Sequence, residues 1–177
     1  MKSKILGSFS VNGNQLIVTD PCYPIECAED EEFSWILTPV KRGEWIATVF
    51  YEEDETIAKL MALHKDSQQD NKWIETGKEI GVDSAMAGIF NASTYGRDEV
   101  ITYEVENVYE IEMDEEGLKY YVACSDIVAS DDEAGIVVGG AVSMSGIGDG
   151  HYPVFAKYNE KNEIVGVMLE FWAEEDE

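Results

Sequence analysis

Apolar side chains on every second residue constrain this chain more than any other feature. Trp45, Ala47, Val49 and Tyr51 recur at a spacing of two, which puts all four on one face of an extended strand. Glycine and asparagine turns punctuate the rest of the sequence, and a convincing helical period appears once. The expectation is a mainly β protein of the α+β type, with antiparallel sheets in a sandwich or open barrel and one short capping helix. The helix is expected at 57–64, where Ile57, Leu60, Met61 and His64 make an i, i+3, i+4, i+7 stripe behind Asp54 and Glu55. An opening hairpin is read from 5–11 and 15–19 about Asn12-Gly13-Asn14, and a second from 35–40 and 44–51 about Lys41-Arg42-Gly43. Further strands are expected at 99–113, 118–124, 135–144, 152–158 and 163–172, the last two joined by Asn159-Glu160-Lys161-Asn162.

The chain has 177 residues, 45% of them hydrophobic. One core and one domain, 1–173, are expected, followed by a frayed acidic tail at 174–177. No repeat or Pro/Gly/Ser-rich linker divides it. Its 37 acidic residues against 12 Lys and Arg leave a formal charge of −25, which repels phosphate backbones and anionic lipid surfaces. Direct nucleic-acid binding and membrane binding are therefore excluded. Four Trp, nine Tyr and six Phe separate the chain from disordered acidic segments, which are poor in aromatics. Without an apolar signal core or a run of about twenty apolar residues, a cytoplasmic location is expected. Cys22, Cys27 and Cys124 are odd in number and lack a CxxC pair, which argues against a disulfide framework and a structural zinc site. The sequence calls for no metal and no cofactor.

Nearly half of the acidic residues lie in five short blocks, at 29–32, 52–55, 114–116, 131–133 and 174–177. One segment is more regular. From 101 to 113 apolar or aromatic residues hold most odd positions, while Glu104, Glu106, Glu110 and Glu112 take even ones, leading into Asp114, Glu115 and Glu116. On a strand this would make a row of carboxylates about 6.7 Å apart. Repulsion along such a row costs stability that a basic partner would recover. These seven residues are the candidate partner-binding set.

Three other stretches contain residue types able to do chemistry: Asp20-Pro21-Cys22-Tyr23, the segment from Gly81 to Phe90, and Gly146-Ile147-Gly148-Asp149-Gly150-His151-Tyr152-Pro153-Val154. Cys22, Asp83, Ser84, Asp149 and His151 would together make a pocket for a hydrolase or a small-ligand-binding domain. No GxSxG elbow, Walker lysine, HExxH or GxGxxG is present, so no catalytic residue is assigned.

Taken together, the three stretches resemble a family of uncharacterised bacterial and phage proteins, a domain of unknown function, with an early D-P-C-Y, a central V-D-S before A-G-I-F, and a late G-x-G-D-G-x-Y-P-V. Ala85 stands where that pattern has glycine after the serine. The resemblance spans most of the chain and implies a phage or mobile-element origin without implying a reaction. In charge and size, though in no shared motif, the chain is similar to acidic anti-restriction and anti-CRISPR proteins. The leading expectation is an acidic inhibitor that occupies the basic nucleic-acid groove of a host protein such as a nuclease, with the three-motif pocket as the alternative.

Overall fold

The computed structural model describes residues 2–24, 33–69, 71–105, 116–146 and 148–171. Eleven strands form two antiparallel sheets: β1 Lys2–Val11, β2 Leu16–Thr19, β3 Trp35–Leu37, β4 Gly43–Tyr51, β5 Ile57–His64, β6 Ile74–Val82, β7 Met86–Asn91, β8 Ala134–Val137, β9 Gly140–Met144, β10 Gly150–Tyr158 and β11 Ile164–Glu170. A six-stranded sheet runs β1-β4-β5-β11-β10-β6, and a five-stranded sheet runs β3-β2-β7-β9-β8. The helix α1 spans Leu118–Val128. The mainly β expectation holds, with two sheets face to face and no closed barrel among the described residues.

Between the sheets lies one core. Trp45, Ala47 and Val49 of β4 meet Leu16, Val18 and Ile89 of the other sheet, as the two-residue period requires. The five-stranded sheet is also covered on its far side. Ile17, Phe90 and Val142 there pack under Tyr120, Ala123 and Cys124 of α1 and under Tyr95 and Ile101. Buried on both faces, β2 and β7 read as unbroken apolar runs instead of alternating ones.

Several local readings are corrected. Segment 57–64 is strand β5, not a helix. Its Ala58, Leu60, Ala62 and His64 face inward, but small alanines weaken the two-residue signal, and pairing with β4 and β11 on both sides overrides helical spacing. Segment 118–124 is the start of α1, not a strand. Tyr120, Ala123, Cys124 and Ile127 fall at i, i+3, i+4, i+7 and form its buried stripe. Gly117, at φ +101°, begins the helix. Asp98 caps it from outside, its carboxylate accepting the N–H groups of Gly117 (3.1 Å) and Tyr120 (2.9 Å).

That capping role explains the next correction. Instead of entering a sheet, Asp98–Val100 forms a 3₁₀ turn, and residues 101–105 are not in a strand. Ile101 tucks beneath α1, with its carbonyl accepting from Lys119 Nζ at 2.7 Å. The rest of the expected strand, 106–113, lies outside the described residues. Both N-terminal hairpins also dissolve. β1 pairs with β4 while β2 pairs with β3 and β7, so Asn12-Gly13-Asn14 is a corner between sheets, as is the Lys41-Arg42 connection. Segment 135–144 splits into the β8–β9 hairpin about Val138-Gly139. The closing β10–β11 hairpin forms as expected, with Asn159 Oδ1 accepting from the N–H groups of Lys161 and Glu163.

Burial pushes the Cys124 thiol well above its ordinary range, and the Tyr95 and Tyr120 hydroxyls likewise. Such groups keep their protons in the native state at pH values where the unfolded chain releases them. Stability should therefore be full below about pH 8 and fall by up to about 1.4 kcal/mol per pH unit for each group, past about pH 8.5 for the thiol and past about pH 10 for the two hydroxyls. Urea denaturation at neutral and alkaline pH should show this loss, with a shallower slope in Cys124→Ala; equal slopes would refute the assignment.

Candidate functional site

The three motif stretches come together at the end of the sandwich where the chain crosses between sheets. Asp20 follows β2 in the five-stranded sheet, while residues 83–85 carry the chain from β6 to β7 and residues 145–149 carry it from β9 to β10. At such crossings backbone N–H groups leave their ladders and need other acceptors. Asp20, fully buried, supplies them. Its Oδ2 accepts the N–H groups of Asp83 (2.8 Å) and Ser84 (2.7 Å), and its Oδ1 accepts the Cys22 N–H (2.8 Å) and the Ser84 hydroxyl (2.5 Å). The facing groups are all donors, which suits a carboxylate.

A second bridge extends the cluster. Asp149 Oδ1 accepts the Ala85 N–H at 3.0 Å, and the Ser145 N–H donates to the Ala85 carbonyl at 3.1 Å. Tyr152 sends its hydroxyl to the Gly148 carbonyl at 2.6 Å. On the outer side the Tyr23 hydroxyl donates to Asp83 Oδ2 at 2.8 Å, and the Tyr95 hydroxyl donates to the Tyr23 carbonyl at 2.6 Å.

The expected pocket residues thus gather around the knot in unequal roles. Cys22, Asp83 and Ser84 touch Asp20 or its partners directly, and Asp149 joins through Ala85. His151 stands apart. It is exposed on β10 opposite Gly81, with its ring 6.5 Å from that of Phe33, which stacks on Tyr23 at 5.4 Å. Sequence reasoning named Asp20 in the Asp-Pro-Cys-Tyr stretch, as a residue exposed at a strand end, but left it out of the pocket set; it is instead fully buried at the centre. The available signal was an aspartate directly before proline at a strand end, a common site for side-chain capping of a turn.

Chemically, the arrangement holds its groups in place. Cys22 is exposed as a residue, yet partial desolvation of its thiol, with the neighbouring Asp20 carboxylate next, pushes that thiol far up, so little thiolate forms at neutral pH. The Ser84 hydroxyl already donates to a carboxylate whose two oxygens share four donors. Among the described residues, no group of three or more His, Cys, Asp or Glu is placed to hold a metal ion.

A cavity of about 520 Å³ lies on the other side of the Asp-Pro-Cys-Tyr turn, between it, residues 95–99 and the start of α1. Pro21, Tyr23, Pro24, Tyr95 and Tyr121 give it aromatic and proline walls, and Glu99, Glu116 and Arg97 line it as well, with Arg97 paired to Glu99 at 3.6 Å. Of the expected pocket residues, Cys22 alone lines it. Its size is that of a small-ligand or side-chain site.

Of the expected partner-binding residues, Glu104 is exposed beyond the 3₁₀ turn and Glu116 is exposed with its Oε1 accepting the Asp98 N–H at 3.1 Å. Glu106, Glu110, Glu112, Asp114 and Glu115 lie outside the described residues. Two acidic blocks missed as a unit do meet. Residues 52–55 and 131–133 share one end of the sandwich at Tyr51, whose hydroxyl donates to the Asp132 carbonyl at 2.6 Å. The same hydroxyl is pushed up by burial and by the charges of Asp132, Glu133 and Glu55. Ion pairs between described residues are Lys4–Asp132 and Arg97–Glu99, leaving most carboxylates of this end facing solvent. No helix among the described residues is long and apolar enough to cross a membrane. Compared with protein-family models, curated proteins and solved structures, the chain matches none.

Two stability predictions follow from the knot. Asp20→Asn should cost about 3 kcal/mol or more, because it places an amide among buried donors worth about 1–3 kcal/mol each when unpaired, whereas Ser84→Ala should cost about 1–2 kcal/mol; urea denaturation gives the order. Ala85 holds a left-handed φ of +60°, so Ala85→Gly should raise stability by about 0.5–1 kcal/mol. A loss in that melting experiment would show that the Ala85 methyl group packs usefully.

Proposed function

We propose that this protein works by binding: an acidic inhibitor that occupies the basic nucleic-acid groove of another protein, a nuclease being the model partner. The observation that carries this reading is the acidic end at Tyr51. There the β4–β5 turn and the α1–β8 turn bring Glu52, Glu53, Asp54, Glu55, Asp131, Asp132 and Glu133 to one place with Lys4 as the paired cation. Mutual repulsion among these groups costs stability, and a groove lined with Lys and Arg would relieve it. A −25 body is drawn to such a groove and blocks it with no chemical step.

The locked state of the motif residues supports the same reading. The Ser84 hydroxyl is spent on Asp20 and the Cys22 thiol stays protonated beside that carboxylate, which leaves the hydrolase alternative no activated nucleophile among these residues. The cavity beside Tyr23 serves as the anchor that long-range charge lacks. A Lys or Arg side chain entering it would lie against tyrosine rings with Glu116 near its charge, and would compete with Arg97 for Glu99.

The test is a titration against a CRISPR effector nuclease, with and without its guide RNA, at low and high salt. Binding should be stronger to the guide-free form and weaken with salt, since exposed charges are screened within about 8 Å at physiological ionic strength. Replacing Glu52, Glu53, Glu55, Asp131 and Glu133 by their amides should weaken binding about tenfold or more while leaving the fold intact. The same replacement at Glu104, Glu106, Glu110 and Glu112 should weaken it further. Binding indifferent to salt and to both sets would make the acidic end a solvated surface and overturn the proposal.

A further inference from the structure

Among the described residues, no helix covers the outer face of the six-stranded sheet. Side chains of the parity opposite to Trp45, Ala47 and Val49 point there, and their register aligns them in two rows across five strands. One row runs Ile5, Thr48, Met61, Met168, Phe155; the other runs Ser8, Ile46, Leu63, Gly166, Lys157. Neither carries a carboxylate, although the chain has 37 of them. Acidic side chains return at the margins, at Glu44, Glu75, Glu79 and Glu170. Ile5 and Ile46 are 69% and 38% exposed, and Thr48, Met61, Leu63 and Phe155 are partly exposed, whereas Met168, Gly166 and Lys157 are buried. Trp73 reaches over the Gly166 end, where a Cβ would sit 3.1 Å from its ring, and the remainder has no covering element among the described residues.

We infer that a second copy of this chain docks on this face, sheet against sheet, to form a two-fold dimer. Charge argues for that occupant. A basic partner is drawn to the acidic end and gains nothing from rows without carboxylates, whereas another body of charge −25 can approach closely only through a surface that lacks them. Area sets the strength. The open part, chiefly β1, β4 and β5 at about 4.8 Å spacing and about eight residues each, projects on the order of 400 Å² against about 800 Å² per partner in a standard interface, so the dimer is a weak one. Two such faces related by a two-fold axis are self-complementary, and large exposed apolar patches mark interaction sites.

Sedimentation velocity of the whole protein over a hundredfold range of concentration tests this. At about 1 M salt, where the Debye length is about 3 Å against about 10 Å at 0.1 M, the mass should rise from 19.8 kDa towards twice that value as concentration increases, and less so at low salt. This salt response is opposite in sign to that of the nuclease complex, so either proposal can fail alone. Ile46→Lys with Met61→Lys should keep the protein monomeric with an unchanged far-UV circular dichroism spectrum. If that pair fails to fold, Ile46→Thr with Met61→Gln should lower the dimer fraction at least tenfold at equal concentration. Wild-type protein that stays at the monomer mass at high salt, or folded variants that dimerise as the wild type does, would overturn the inference.

Discussion

The Asp20 carboxylate is the interaction on which the rest of this structure depends. A two-sheet sandwich has to pass its chain from one layer to the other, and each passage strips backbone N–H groups of their ladder partners inside the protein. Here the end of β2 and the β6-to-β7 crossing are brought to the same place, and one buried side chain accepts from both. The β9-to-β10 crossing is tied on through Asp149 and Ala85. The motifs that look most like an active site in the sequence are therefore the joint of the sandwich. Their small and polar residues are what close approach of three backbone segments requires.

Once that joint is made, the two sheets have different surroundings. The five-stranded sheet lies in the middle, with the main core on one side and α1, Tyr95 and Ile101 on the other. The six-stranded sheet keeps one face outside. The cavity, the acidic end and the apolar rows accordingly occupy three separate surfaces: beside the Asp-Pro-Cys-Tyr turn, around Tyr51, and across β1 to β10.

Electrostatics follows the same geometry. Carboxylates sit at turns, where water and counter-ions reach them and mutual repulsion is least costly to the fold. Within the joint, Asp20 meets backbone dipoles and a hydroxyl instead of a cation. Its role there is to satisfy donors, which a neutral amide of the same shape fulfils poorly because half of its polar surface donates.

What the sequence by itself determined is the class of fold and the residues wherever a strand has one dry face. Trp45, Ala47 and Val49 could be read because period two was visible, and the Asn159–Asn162 turn because its backbone chemistry is local. The tertiary structure decided the rest. Ala58 and Ala62 hide the period of β5, and only its neighbours β4 and β11 make it a strand; Tyr120, Tyr121 and Val122 favour a strand locally, yet a distant carboxylate, Asp98, and the sheet beneath make them helix. Asn12-Gly13-Asn14 turns the chain whether the next strand pairs with the last or crosses to another sheet, so partner choice lay beyond any local signal. Asp20 could be recognised as the centre only once residues 63 and 64 positions away in sequence were in hydrogen-bond reach, because a buried carboxylate is defined by the donors around it and those donors come from another sheet.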